Sequence, residues 1–403
     1  MSDTLTYCNT IFISTGRTQI HDIQQPCTYR RHKLQKRIEV RTAVRNNKKE
    51  TVRMSIKVIQ FSTCVIACVL FFEFSEATTT EMYEDFLRSF PRKQRSVESE
   101  KNFQASLKRV TMHNTNPSKT WTAGINQFSD MSDEDFQKLV LMDPQDCSAT
   151  YGAKSMPEGA SATDLPAHLD WREKGVVSEV KNQGHCGSCW TFSTVGALES
   201  HMAIKYDAWR APRLSEQQLV DCAQAFDTNG CNGGLPSHAF EYIRHAGGIS
   251  TEFSYPYKAV DQTCAFNKSA TPETSPFLPT SAGIGAEVPG GSVNITKGDE
   301  ESLKYFLATE GPVSVAFQVA SDFRDYASGV YSSTVCKNGA QDVNHAVLAV
   351  GYGTDPISNM PYWTIKNSWD YSWGDEGFFK IEAGKNMCGI ANCNSFPDLY
   401  GKK

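Results

Sequence analysis

Residues 180–193 read Val-Lys-Asn-Gln183-Gly-His-Cys186-Gly-Ser-Cys189-Trp190-Thr-Phe-Ser, and no other stretch constrains the chain so tightly. A Cys-x-x-Cys pair taken alone admits three chemistries: a redox couple, half of a zinc site, or part of a disulfide framework. A redox couple wants a thioredoxin-like strand ahead of it, and a polar Asn-Gln-Gly-His loop stands there instead. A zinc site wants a second close pair of ligands, but the next cysteines, Cys222 and Cys231, are distant and unevenly spaced. The remaining reading places Cys189 at the start of a helix. Thr191, Val195, Leu198 and Met202 follow it at three- and four-residue steps. There the helix dipole and the free backbone N–H groups favour a thiolate, the strongly nucleophilic form of the side chain.

A thiolate nucleophile needs a base or an imidazolium partner. Of nine histidines, His345 stands out because it opens the apolar run Val343-Asn-His345-Ala-Val-Leu-Ala-Val-Gly-Tyr-Gly, where a ring can be held in one position. Downstream comes Lys366-Asn367-Ser-Trp369, with Trp373-Gly374 a turn later. Asn367 is suited to accept from the imidazole and fix its tautomer, and Trp369 to shield that bond from water. Singly, a histidine is more often structural, and Asn-Ser-Trp more often a turn beside a core tryptophan. Their joint presence with the Gln183–Trp190 segment reverses that preference.

From about residue 82 to the C-terminus the chain resembles the papain-like cysteine proteases, whose signature includes Cys-Gly-Ser-Cys-Trp. The resemblance implies an α+β protein of two lobes, one helical and one an antiparallel β-barrel, preceded by a mainly helical propeptide. It implies Cys189 as nucleophile, His345 as imidazolium partner, Asn367 as orienting residue, and Gln183 with the Cys189 N–H as oxyanion hole. His345 lies 156 residues after Cys189, beyond the roughly 130–150 usual in the family. The segment Ser269–Gly291, rich in Pro, Gly, Ser and Thr and read as a long surface loop, accounts for the excess. Gly230-Cys231-Asn-Gly233-Gly234-Leu235-Pro236 is similar to the family's substrate-binding strip, with Gly233 and Gly234 admitting a substrate backbone and Leu235 and Pro236 walling a pocket. Trp369 belongs to the same expected surface. No metal or cofactor is required.

The chain has thirteen cysteines, which argues for an oxidising compartment. By resemblance the pairs are Cys186–Cys231, Cys222–Cys264 and Cys336–Cys388, with Cys189 free. Cys147 and Cys393 remain downstream of residue 77. Cys147 sits in Asp143-Pro-Gln-Asp-Cys147-Ser-Ala-Thr150, an octapeptide similar to the mini-chain of the cathepsin H branch of the family. There a propeptide fragment stays tethered by a disulfide, and its terminal carboxylate holds a substrate's free ammonium while excluding longer chains. Carried over, Thr150 is that terminus and Cys147–Cys393 the tether; Asp143 and Asp146 depart from the branch's Glu and Asn. The alternative is that residues 143–150 are ordinary propeptide and the enzyme is a cathepsin L-like endopeptidase. A non-catalytic papain-fold binding or storage protein is disfavoured, since Cys189, His345, Asn367 and Gln183 are all present.

Within the expected propeptide, Phe86, Phe90, Phe103, Leu107 and Val110 fit a helical face. Gly124-x-Asn126-x-Phe128-x-Asp130 resembles the family's short inhibitory motif. The longer helical motif is partly kept: Phe103 and Asn114 fit and Val110 replaces Ile, but Arg95, Ser99 and Ser106 stand where Glu, Arg and Asn are usual.

Upstream, Met54-Ser-Ile-Lys57, the apolar run Val58–Phe72 and Ser75-Glu76-Ala77 form the three parts of a secretory signal. Fifteen residues are short for a membrane span, which needs about 20. Residues 1–53 are basic and without apolar period, so a start at Met54 is favoured over a cytoplasmic extension of a membrane anchor. The expected organisation is 1–53 extension, 54–77 signal, 78–142 inhibitory propeptide, 143–150 mini-chain, 151–164 excised linker and 165–403 protease domain. Asn267-Lys-Ser and Asn294-Ile-Thr are glycosylation acceptors. With the signal they suit a lysosome or an equivalent acidic compartment, or secretion. A net charge of −5 argues against nucleic acid as a partner of the whole chain. The expected partners are peptide and protein substrates, the chain's own propeptide and cystatin-type inhibitors, for a monomer without a membrane anchor.

Overall fold

A computed structural model describes residues 79–401, apart from 92, 148–152, 209–211, 269–273, 276–277 and 283. The basic extension, the signal-like segment and Thr150 lie outside the described residues. Helix α1 spans 79–89 and α2 spans Val97–Asn114. The expected propeptide face is therefore shared between two helices, because Pro91 follows α1 and cannot continue it. Tyr83, Phe86 and Phe103 form a small core of their own, with Phe90 packed beside it and ring centroids 5.0 Å apart for Phe86 and Phe103. Val110 joins the main core instead.

The departures from the family's helical motif have local uses. Ser99 closes a capping box with Ser96 at the start of α2 and bonds the Tyr83 hydroxyl at 2.6 Å. Arg95 pairs with Glu84 and, at 3.6 Å, with Glu100. Buried Ser106 donates to the Ser129 carbonyl at 2.8 Å. Asn114 clamps Ala123 from both sides, accepting its N–H and donating to its carbonyl. Strand β1, Trp121–Ala123, then leads to α3, Asp133–Val140, capped by Ser132 and carrying three acids in its first turn.

The second part of the chain begins with β2, Leu169–Asp170, followed by α4 (Cys189–Lys205), α5 (Glu216–Cys222) and α6 (Pro236–Ala246). Next come β3 (Thr274–Ser275), β4 (Leu278–Ala282), β5 (Gly291–Asn294), α7 (Glu300–Thr309), β6 (Val313–Phe317) and β7 (Tyr326–Tyr331). Strands β8 (His345–Thr354), β9 (Pro361–Lys366), β10 (Phe378–Glu382) and β11 (Ser395–Asp398) complete the chain. Helices come first and sheet later, as the change of hydrophobic period requires. Helix α4 is buried from Cys189 to Ala203 on every side and packs against β8, β6 and β11.

The main sheet runs β1-β7-β10-β9-β8-β6-β11-β5, with β2 paired to β8. The pairings are antiparallel except that β10 pairs β7 in parallel, Lys380 opposite Val330, across a long excursion through β8 and β9. One correction concerns Ser269–Gly291. It holds the β3–β4 hairpin, and Ile284, Ala286 and Val288 are buried, Ala286 and Val288 within the core around α4. Its Pro, Gly and Ser content marked turns, but the few apolar residues at its end return to the core.

One core lies about the sheet and its tryptophans, the other about α4 and α6. Residues ahead of β2 enter both: Trp121, Phe128, Phe136 and Val140 the first, Met142 and Cys147 the second. No helix among the described residues is long and apolar enough to cross a membrane.

Candidate active site

Cys189 is the first residue of α4 and is fully buried; it is the free cysteine among the described residues. Its Sγ accepts the Ala346 N–H at 3.3 Å, which sets the sulfur beside the start of β8, where His345 sits. The His345 ring stacks on Trp369 at 4.6 Å and meets Phe317, its partner in register, edge-on at 5.9 Å. Its Nε2 donates to Asn367 Oδ1 at 2.8 Å. That oxygen also accepts the Ser368 N–H, and the Asn367 N–H donates to Gly377, so the amide is fixed from two sides. His345 Nδ1 is buried and has no hydrogen-bond partner among the described residues.

Gln183 is buried alongside. Its Oε1 accepts from Ser368 Oγ at 2.7 Å, and its Nε2 donates to the carbonyls of Cys186, at 2.8 Å, and Val140, at 2.7 Å. Val140 closes α3 of the propeptide, so a propeptide carbonyl holds this amide. From there residues 142–147 run antiparallel to 340–344. Met142 donates to Asn344, Gln145 to Val343 and Cys147 to Ala340, while Asp143 donates across to Asn232. The passage is tight. A Cβ on Gly187 would lie 2.7 Å from the Leu141 carbonyl, and one on Gly233, whose φ is +131°, 2.9 Å from Met142 Cβ.

Burial governs the electrostatics. It pushes the Cys189 thiol up to about 12, against opposing N–H contacts from Ala346, Trp190, Met142 and Cys189 itself. It pulls the His345 imidazolium down to about 4, with the Asn367 bond opposing. With the propeptide seated, both groups are therefore neutral near pH 7.

The structure thus brings Cys189, His345, Asn367, Gln183 and Trp369 together, with Gly233 at the edge. Gly234 lies against Trp190 and Thr228, and Leu235 and Pro236 are buried at the start of α6. Asn267 is exposed and Asn294 half-buried on β5, outside this group. Disulfides join Cys186 to Cys231, Cys222 to Cys264, Cys336 to Cys388 and Cys147 to Cys393.

Sequence reasoning did not single out Ser368, Phe136 or the charges behind the site, and gave Phe128 only as part of the short inhibitory motif. Ser368, which holds Gln183, was visible only as the middle of Asn-Ser-Trp. Phe128 and Phe136 meet Trp369 edge-on at 5.4 and 5.5 Å, so the propeptide roofs the tryptophan. Behind the site, Lys181 pairs with buried Glu199 and Glu216 at 2.7 Å each, and Lys366 donates to Ser178. No sequence signal distinguishes such buried charges from surface ones.

Residues 165–398 match the family described as "Papain family cysteine protease", and residues 83–136 match "Cathepsin propeptide inhibitor domain (I29)". A "Pro-cathepsin H" of Medicago truncatula is 53% identical over 69% of this chain and 73% of its own. The "Thiol protease aleurain" of Arabidopsis thaliana is 51% identical over 69% of this chain and 72% of its own. Among solved structures, the digestive procathepsin L2 of Tenebrio molitor larval midgut superposes with a TM-score of 0.69 at 36% identity. That likeness covers 80% of this chain and all of the other.

Proposed function

The chain belongs to the papain family of cysteine proteases, and on that premise we propose that it acts mainly as an aminopeptidase with some endopeptidase activity, through Cys189 and His345. Once the propeptide leaves, both groups regain water, and a proton moves from the thiol to the imidazole to give the ion pair. The Cys189 thiolate attacks the scissile carbonyl. Gln183 and the Cys189 N–H hold the oxyanion, and His345 gives its proton to the leaving amine. Water then hydrolyses the thioester, with the imidazole taking its proton.

The observation that carries the aminopeptidase reading is the Cys147–Cys393 disulfide. It supports retention of the 143–150 piece, whose residues 143–147 lie beside the 340–344 segment that leads into His345. A carboxylate at Thr150 would then meet the substrate's ammonium and close the cleft to longer chains. The endopeptidase alternative follows if that piece is lost on maturation. The I29 match supports the propeptide as intramolecular inhibitor; cystatin-type inhibitors would take the same cleft. An acidic endomembrane compartment, lysosomal or vacuolar, suits an enzyme whose latent histidine resists protonation until low pH.

The test compares an amino-acid amide bearing a free N-terminus with its N-blocked analogue, using acid-activated wild type and Cys147→Ser. A strong preference for the free amine, lost in Cys147→Ser, is expected. Equal or better cleavage of the blocked compound by wild type would mean an open cleft and an endopeptidase.

A further inference from the structure

We propose that Tyr257 is a positioning residue for the oxyanion hole, acting through the main chain of Gln183 and the side chain of Ser188. The inference rests on the assignment of Gln183 and the Cys189 N–H as the oxyanion donors.

Those two donors come from different pieces of chain. Gln183 sits on the loop before the Cys186 disulfide, and Cys189 opens α4. An oxyanion hole works only if both point at one place, and misplacement by an ångström forfeits much of its effect. The side-chain amide of Gln183 is set by Ser368 and its N–H by the Ser368 carbonyl, both from the sheet side. Its side-chain nitrogen also holds the Cys186 carbonyl ahead of α4, and the tie from its main chain to the N-cap of α4 is the Tyr257 hydroxyl. It donates to the Gln183 carbonyl at 2.8 Å and lies 2.5 Å from Ser188 Oγ. The consistent direction of protons is Ser188 O–H to Tyr257 oxygen, then Tyr257 O–H to Gln183 carbonyl. Two bonds in series polarise each other.

Ser188 itself departs from the local rule. It occupies the N-cap of α4, where serine normally accepts from an N–H of the first turn, yet it makes no such bond. Its ψ is 15° rather than extended. Ser96, Ser132 and Ser215 at the caps of α2, α3 and α5 all make the usual bond. Of these serine caps, the one beside the candidate nucleophile is the one that gives up its cap and turns to a tyrosine. The Thr191 N–H goes to the Ser188 carbonyl, and the N–H groups of Cys189 and Trp190 are left to the sulfur and to the developing oxyanion.

Tyr257 is well placed to serve as a fixed post. Its ring meets Phe192 of α4 edge-on at 4.9 Å, and its N–H is held by the Glu252 carboxylate at 2.9 Å. Tyr257→Phe keeps the ring packing and removes only the bridge.

The experiment uses the acid-activated enzyme and three readouts: peptide hydrolysis, inhibition by a peptide aldehyde, and alkylation of Cys189 by iodoacetamide. The aldehyde forms a hemithioacetal whose oxygen occupies the oxyanion site, whereas alkylation needs the thiolate but no oxyanion hole. Tyr257→Phe is expected to lower kcat about tenfold with KM little changed. The aldehyde inhibition constant should rise in proportion, with the alkylation rate unaltered. Ser188→Ala should give the same pattern in smaller measure and serves alone if Tyr257→Phe does not fold. Added to Gln183→Ala, Tyr257→Phe should cost little more. Unchanged kcat and aldehyde binding, a parallel fall in alkylation, or full additivity with Gln183→Ala would each overturn the proposal. Wild-type enzyme that keeps hydrolysing peptides after Cys189 is alkylated would instead overturn the catalytic assignment beneath it.

Discussion

The Gln183 side-chain amide donates to the main-chain carbonyl of Val140, 2.7 Å away across 43 residues of sequence. In the latent chain, the group proposed to receive a substrate's oxyanion already holds a carbonyl of the propeptide. The sulfur beside it is buried and neutral. Latency thus has two parts: the donor is occupied, and the Cys189–His345 pair is kept from ionising. Both end when the chain is cut ahead of the retained 143–150 piece and Val140 leaves Gln183.

Gln183→Ala in the activated enzyme should lower kcat roughly 100-fold, since removing one oxyanion donor commonly costs that much. KM should change far less. Steady-state kinetics on a single peptide amide checks this, and a loss confined to KM would contradict it.

In a Cys189→Ser precursor, where no thiol can hand the imidazole its proton, propeptide release should accelerate as pH falls from about 6.5 to 4. His345 in the latent form is depressed from 6.5 to about 4, so the open form binds the proton first. Latency is fully stabilised above 6.5 and loses free energy as pH falls toward 4, by at most about 3 kcal/mol. The groups around the ring are Asn367, Trp369, Phe317 and Cys189, none of them a carboxylate. The rate of propeptide release, followed from pH 7.5 to 4, should rise through that window; a flat profile would contradict the account.

Phe128→Ala should make the zymogen leak. Phe128 is buried between Phe136 and Trp369, and removing a core phenylalanine costs about 3–5 kcal/mol. The cost falls on propeptide docking, because Trp369 keeps its contacts with His345 and Trp373. Hydrolysis by the uncleaved precursor at pH 7 should rise well above that of wild type.

Arg109→Gln should move activation to higher pH. Arg109, on α2 of the propeptide, pairs at 3.0 Å with buried Asp325, whose carboxyl burial already pushes above its ordinary value. Without the guanidinium the buried Asp325 carboxylate loses its partner across the contact, so docking is weaker from neutral pH downward and less acid is needed to release the propeptide. Precursor conversion measured at successive pH values should show the shift, and an unmoved midpoint would refute it.

Much of the site was legible in the sequence because it is written in short motifs. Gln183 to Trp190 is one turn-and-helix start, His345 begins one strand, and Asn367 to Trp369 leaves the next. Each fragment has few ways to fold. Local pattern likewise placed α4 and the period-two strands, and the Ser132 cap with its acids marks α3. Residues 1–77 and Thr150 carry expectations that fall outside the described structure.

What local pattern does not carry is which distant groups meet. Tyr257 reaches Gln183 across 74 residues, Ser368 across 185, and Arg109 finds Asp325 across 216. Tyrosine, serine and arginine are common, and nothing in their neighbours announces a partner. The parallel pairing of β7 with β10 and the return of Ile284–Val288 to buried positions were decided the same way, by closure of the sheet and filling of the core. The sequence by itself determined the reagents and the elements that bear them, because those depend on residue type and short spacing. Only the tertiary structure decided that Val140 lies on the Gln183 amide and that burial holds Cys189 and His345 neutral, since desolvation is a property of everything packed around a group.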